Sequence, residues 1–124
     1  MIKILYVGGE KIDIPQLVGT RVNVDYVQNG MIALSAVQTK DFDSIIIEDQ
    51  LPLMTPTRLI EEFISMKLGI PVISVVRSDE RRFKILEDFG RGLFGWFEPE
   101  KVTTEELIAQ LSSAKNFFLT FKKF

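Results

Sequence analysis

Apolar residues gather along this chain in short runs, separated by stretches with helical spacing. Ile2-Lys3-Ile4-Leu5-Tyr6-Val7 reads as a first strand, punctuated by Gly8-Gly9. Asp13-Ile14-Pro15 opens a short first helix through about Val18, with Gly19 as its stop. Arg21 to Val27 alternates polar and apolar, the pattern of a half-covered strand near a sheet edge. Asn29-Gly30 turns into a second helix, Met31 to about Lys40, with Ala33, Leu34 and Val37 on its inner face. Ser44 to Glu48 is a continuous, fully buried type of strand. Thr55-Pro56 opens a third helix, roughly Thr57 to Lys67, whose pairs Leu59/Ile60 and Phe63/Ile64 recur at helical spacing. Pro71 to Val76 is a second buried-type strand, and Asp79-Glu80 lead a fourth helix to Phe89. Leu93 to Phe97 is a short fifth strand. Thr103 and Glu106 form a capping box for a last helix through Leu107, Ile108, Leu111 and Ala114 towards Phe121.

Five strands alternating with five helices give an α/β fold of (βα)5 type. Crossover connections force a parallel, doubly wound five-stranded sheet with helices on both faces. The expected strand order is 2-1-3-4-5, with a switch point between strands 1 and 3. The C-terminal ends of strands 1, 3, 4 and 5 then converge. They bring together Gly8-Gly9, Glu48, Val76-Arg77 and Glu98-Pro99. The run Ile45-Ile46-Ile47 ends abruptly in the Glu48 carboxylate, at the sheet edge where ligands and chemistry sit in open α/β folds.

Composition narrows the chemistry. The 124 residues suffice for one domain, and a hydrophobic share of 46% excludes disorder. A net charge of −2 offers no basic field for nucleic acid, so the expected partner is a protein or a small ligand. There are no cysteines and no histidines. Thiol nucleophiles, zinc-thiolate sites, triad hydrolases and His-ligated metals are excluded, and the chain is expected to lack enzyme activity. The absence of cysteine fits a reducing, cytoplasmic setting. Ile2 to Val7 meets the glycines too early for a signal peptide, and no apolar run approaches the ~20 residues of a membrane span.

The firmest motif runs Asn29-Gly30-Met31-Ile32-Ala33-Leu34, then Asp43-Ser44-Ile45-Ile46-Ile47-Glu48, then Leu51-Pro52-Leu53-Met54. This stretch resembles the Asn-Gly-x-x-Ala-Leu helix, the Asp-x-x-x-x-Asp strand and the Pro-x-Met loop of response-regulator receiver domains, the CheY-like, flavodoxin-like fold of two-component signalling. Pro71-Val72-Ile73 and Glu98-Pro99 fall where that family has Pro-Val-Ile and Lys-Pro. The similarity covers about Ile2 to Ala114.

The resemblance implies a departure at each working position. The family's magnesium-binding acidic pair corresponds to Gly8 and Gly9, and its phospho-accepting Asp to Glu48. Its phosphoryl-binding Thr or Ser corresponds to Val76, its Lys to Glu98 (before Pro99), and its aromatic switch residue to Gly95, near a segment with about one extra residue. Magnesium is held by hard carboxylate oxygens, so neither magnesium nor any other cofactor is expected here. Val76 donates no hydrogen bond, and Glu98 puts an anion where phosphoryl transfer needs a cation. A Glu reaches about 1.5 Å further than an Asp, so Glu48 is either a built-in mimic of the phosphorylated state or a relic. Two facing carboxylates need a counter-charge. Lys11 and Arg77 are the candidates to lie between Glu48 and Glu98. Gly8-Gly9 reads as a tight turn in preference to a phosphate cradle. Asp49 alternates away from Glu48 and reads as exposed or loop-capping.

Two outer regions remain. Arg81, Arg82 and Lys84 form a basic face on the fourth helix, and with Trp96 they fall on the surface of helix 4, strand 5 and helix 5 through which receivers commonly dock. The tail from Lys115 to Phe124 holds four phenylalanines and three lysines. Phe117, Phe118 and Phe121 then serve packing, a homodimer, a membrane-surface contact or a linker to an effector domain. Residues 1–116 are assigned to the receiver-like domain and 117–124 to an extension of the last helix. The expected function is a phosphorylation-independent, receiver-like signalling domain acting through protein–protein contact. Alternatives are atypical phosphorylation at Glu48 or Asp49, or a flavodoxin-like small-ligand module using the Gly8-Gly9 cleft.

Overall fold

Four parallel pairings join the five apolar runs into one sheet of order β2-β1-β3-β4-β5 in the computed structural model, which describes residues 2–8, 21–77 and 93–121. The strands are β1 (Ile2–Val7), β2 (Val22–Val27), β3 (Ser44–Glu48), β4 (Val72–Val75) and β5 (Leu93–Phe97). Three helices lie within the described residues: α1 (Gly30–Thr39), α2 (Pro56–Ser65) and α3 (Thr104–Phe121). They are the second, third and last helices expected from the sequence. The expected first and fourth helices, residues 13–18 and 79–89, lie outside the described residues.

Local chemistry sets the helix starts. Asn29 accepts from the amide of Ile32 at 3.0 Å, Thr55 from that of Arg58 at 3.2 Å, and Thr103 from that of Glu106 at 3.1 Å. Each cap satisfies one of the amides that the first helical turn leaves free. Pro56 follows its cap at a position where its missing N–H costs nothing.

The period of two along each strand sorts the core into two layers. Leu5, Val7, Ile45, Ile47, Val72 and Val76 pack with Ala33 and Val37 of α1 and with Leu59, Ile60 and Phe63 of α2. Ile4, Tyr6, Ile46, Ile73, Val75 and Phe97 pack with Leu107, Leu111 and Ala114 of α3. All five residues of β3 are buried, as its central place requires, whereas β2 is only partly covered at the sheet edge.

The ladder between β4 and β5 pairs Val72 with Leu93 and then Ile73 with Gly95, passing over Phe94. A bulge of this kind absorbs one residue.

Candidate functional site

The C-terminal ends of β1, β3 and β4 stand level, because Val7 pairs with Ile47 and Glu48 pairs with Val75. Alternation then places Tyr6, Glu48 and Arg77 on the α3 side of the sheet, in line with Ile4, Ile46 and Val75. Their side chains meet. Arg77 Nε donates to Glu48 Oε2 at 2.9 Å and Nη2 to Oε1 at 2.7 Å, while the Tyr6 hydroxyl also donates to Oε1. Two parallel N–H bonds to one carboxylate are the strong, directional form of this ion pair.

Burial is uneven across the group. The side chain of Glu48 is 8% exposed and that of Arg77 36%, so the acid is dry and the guanidinium touches water. A carboxylate taken from water at this depth requires compensation, and the two partners supply it with three hydrogen bonds. The Tyr6 phenol is pushed well above its usual range, first by burial and then by the adjoining Glu48 carboxylate. Hydrogen bonding to Glu48 holds Arg77 protonated even more firmly than an ordinary arginine, against the opposing effect of burial.

Asp49, the next residue, acts on the same arginine from the main-chain side. Its Oδ2 accepts from the Arg77 amide at 2.8 Å. Consecutive carboxylates at the end of β3 thus hold both the backbone and the side chain of the residue that leaves β4. The loop-capping expectation for Asp49 describes this contact.

The other expected site positions are distributed differently. Val76 is buried in the layer under α1 and α2, and its amide donates to Phe97 O at 2.9 Å. The residue that β4 delivers to Glu48 is therefore Arg77. Glu98 forms its ion pair with Lys101 at 2.9 Å, so each of the two acids has its own cation and Arg77 is not a single bridge between them. Gly8 is buried and continues the β1–β2 ladder through a bond from its amide to Val27 O at 3.0 Å. Gly95 lies beneath Gln110 of α3, which donates to Trp96 O at 3.2 Å. A Cβ at Gly95 would come within 2.6 Å of Gln110 Nε2. The place expected for an aromatic is thus closed by a glutamine amide. Gly9, Lys11, Arg81, Arg82 and Lys84 lie outside the described residues. Phe117, Phe118 and Phe121 lie on the last turns of α3, and Trp96 is half-buried on β5.

Sequence reasoning missed Tyr6 and Gln110. Tyr6 carried a signal: a phenol within an aliphatic buried strand needs a hydrogen-bond partner, and its parity matches that of Glu48.

Among the described residues, the oxygens at the end of β3 are already engaged. Gly8 carries no carboxylate, both Glu48 oxygens are bound by Arg77, and Asp49 Oδ2 is bound by the Arg77 amide. A divalent ion placed on Glu48 would face a guanidinium. No group of three or more acidic side chains is gathered among the described residues, and none of the helices there is long and apolar enough to cross a membrane.

No family model matches the sequence, and no curated protein matches it. Solved structures do match in fold. A signal receiver domain of an HD domain-containing protein from Pseudomonas fluorescens Pf-5 superposes with a TM-score of 0.82 at 15% identity, over 98% of this chain and 92% of that one. A response regulator receiver domain protein from Clostridium thermocellum gives 0.79 at 16% identity, over 98% and 99%. The chemotaxis response regulator CheY4 of Vibrio cholerae gives 0.71 at 24% identity, over 92% and 98%. The fold is that of response-regulator receiver domains, with the strand order of the CheY-like sheet.

Proposed function

We propose that this chain is a receiver-like signalling module that works through protein–protein contact, without phosphorylation at the end of β3 and without enzyme activity of its own. The reading takes the receiver fold as its premise. The observation that carries it is the engagement of Glu48 by Arg77 and Tyr6. Accepting a phosphoryl group requires a carboxylate free to attack, with cations placed to neutralise the incoming oxygens. Glu48 is 6% exposed and its oxygens already accept from two partners. The nearby Val76 has no hydroxyl to offer, and Glu98 is anionic. Within this reading Glu48 is a permanently engaged anchor that ties β3 to the exit of β4, and the outer surfaces carry the output.

The test is incubation with acetyl phosphate and magnesium followed by intact-mass analysis. The unmodified mass is expected. A phosphoryl adduct mapped to Glu48 or Asp49 overturns the proposal in favour of an atypical phosphorylated receiver.

A further inference from the structure

We infer that the cavity at the C-terminal end of α2 binds a small monocarboxylate of about six carbons, with its apolar body inside and its carboxylate at Lys67. The cavity lies at the starts of β3 and β4, the opposite end of those strands from Glu48. The inference goes beyond the function proposed above and does not depend on it.

Three observations converge. The first is the lining. A cavity of about 150 Å³ opens between α2, the loop that follows it and the starts of β3 and β4. Ile45, Ile60, Phe63 and Val72 are buried at its inner end, and Leu68 and Ile70 are half-buried beside them. These side chains are all apolar, and the lining falls wholly within the described residues. Close-packed interiors leave few spaces of this size. Water there would find too few polar partners, whereas an apolar group about the size of benzene fits.

The second is charge. Ile64, Lys67 and Gly69 are the exposed members of the lining and so stand at its mouth. Lys67 is the one charged residue of the lining, and no carboxylate is paired with it among the described residues. Glu62, an acid of the last turn of α2, pairs instead with Arg58 at 3.2 Å. The helix end itself presents about half a negative charge, which the full charge of the lysine exceeds. A ligand that fills the apolar interior and leaves an anion at the mouth therefore matches both parts of the site.

The third is the backbone. Lys67 sits at φ 54, and Gly69 follows at φ 65. The left-handed turn that ends a helix suits glycine, and a lysine there is strained. The Lys67 amide closes the turn by donating to Ile64 O at 3.0 Å. The chain thus carries a long cationic side chain at a position where glycine would turn more easily, and strain of this kind points to a use for the side chain that bears it.

The experiment titrates the full-length chain with hexanoate, and in parallel with hexan-1-ol and hexylamine, while amide and methyl NMR shifts report the place of binding. The alcohol keeps the apolar body without the charge, and the amine reverses the charge. Hexanoate is expected to shift Ile45, Leu68, Gly69 and Ile70 saturably below about 10 mM. Hexan-1-ol should shift the same residues with roughly fivefold weaker affinity, the scale of one exposed ion pair, and hexylamine should bind more weakly still. Lys67→Gln is expected to bring hexanoate down to the affinity of the alcohol and to leave the alcohol unchanged, whereas Lys67→Arg should keep the preference for the acid. Lys67 is exposed, so both variants are expected to fold, as thermal unfolding checks. The inference is overturned if hexanoate gives no saturable shifts, if its shifts fall outside the cavity, or if hexan-1-ol binds as tightly as hexanoate. It is equally overturned if Lys67→Gln binds hexanoate as the wild type does.

Discussion

Arg77 meets Glu48 fork to fork, with Nη2 on Oε1 at 2.7 Å and Nε on Oε2 at 2.9 Å, across the junction between β4 and β3. The pair joins two adjacent strands at the end of the sheet where open α/β folds place their sites. It also converts what would be a buried anion into a neutral, hydrogen-bonded unit. Its energetic weight lies mainly in what remains if one member is removed.

Removing Arg77 alone leaves Glu48 buried with the Tyr6 hydroxyl as a donor but without its counter-charge. Breaking a fully buried pair costs about 3–5 kcal/mol. Arg77 is 36% exposed and water can partly replace it, so Arg77→Met is expected to lose about 2 kcal/mol. Replacing both members, as Glu48→Gln with Arg77→Met, should return stability to within about 1 kcal/mol of wild type. Urea unfolding of the four corners of this cycle measures the coupling.

Tyr6→Phe removes the second donor to Glu48 and is expected to cost about 1–2 kcal/mol at neutral pH. It also changes the alkaline limb. Burial and Glu48 raise the folded phenol above its unfolded value of 10.0, so the folded chain holds this proton more tightly. The contribution is complete below 10.0 and is lost as pH climbs above it. Wild type should therefore lose stability more steeply than Tyr6→Phe above about pH 10, as read from urea midpoints along a pH series. Parallel curves would refute the assignment.

Gly95→Ala should displace the amide of Gln110, whose Nε2 lies 2.6 Å from the added Cβ. The expected loss is the bond to Trp96 O, about 0.5–1 kcal/mol. In a Gln110→Ala background the same change should be neutral or slightly stabilising, because glycine is a poor strand residue. The emission of Trp96, the single tryptophan, provides a convenient unfolding signal.

Leu53 sits at φ 67 with 84% of its surface exposed. A branched side chain in the left-handed region is strained, and glycine is not. Leu53→Gly is expected to raise stability by about 0.5–1 kcal/mol, measured by the thermal midpoint. A lower midpoint would assign Leu53 a packing role.

Ser44 is fully buried, and its hydroxyl has no hydrogen-bond partner among the described residues. An unsatisfied buried hydroxyl costs roughly 1–3 kcal/mol, so Ser44→Ala should be neutral or stabilising by up to about 1 kcal/mol in urea unfolding.

The sequence by itself determined which segments became strands and which face each residue took. A strand with period two leaves a side chain only two directions, so the parities of Tyr6, Glu48 and Arg77 were already written in their runs. The three helix caps were equally local, each needing only a hydroxyl or amide three residues before a free N–H. Tertiary structure alone decided which partners met. Residues 6, 48 and 77 converge because the crossovers seat β1 and β4 on either side of β3 and the ladders set their ends level. The length and rotamer of Arg77, and its anchorage to Asp49, then selected Glu48 as its target and left Glu98 to Lys101. Likewise, the bulge at Phe94 and the packing of α3 set Gln110 over Gly95. Such pairings depend on distances between segments far apart in the chain, and no local pattern fixes those distances.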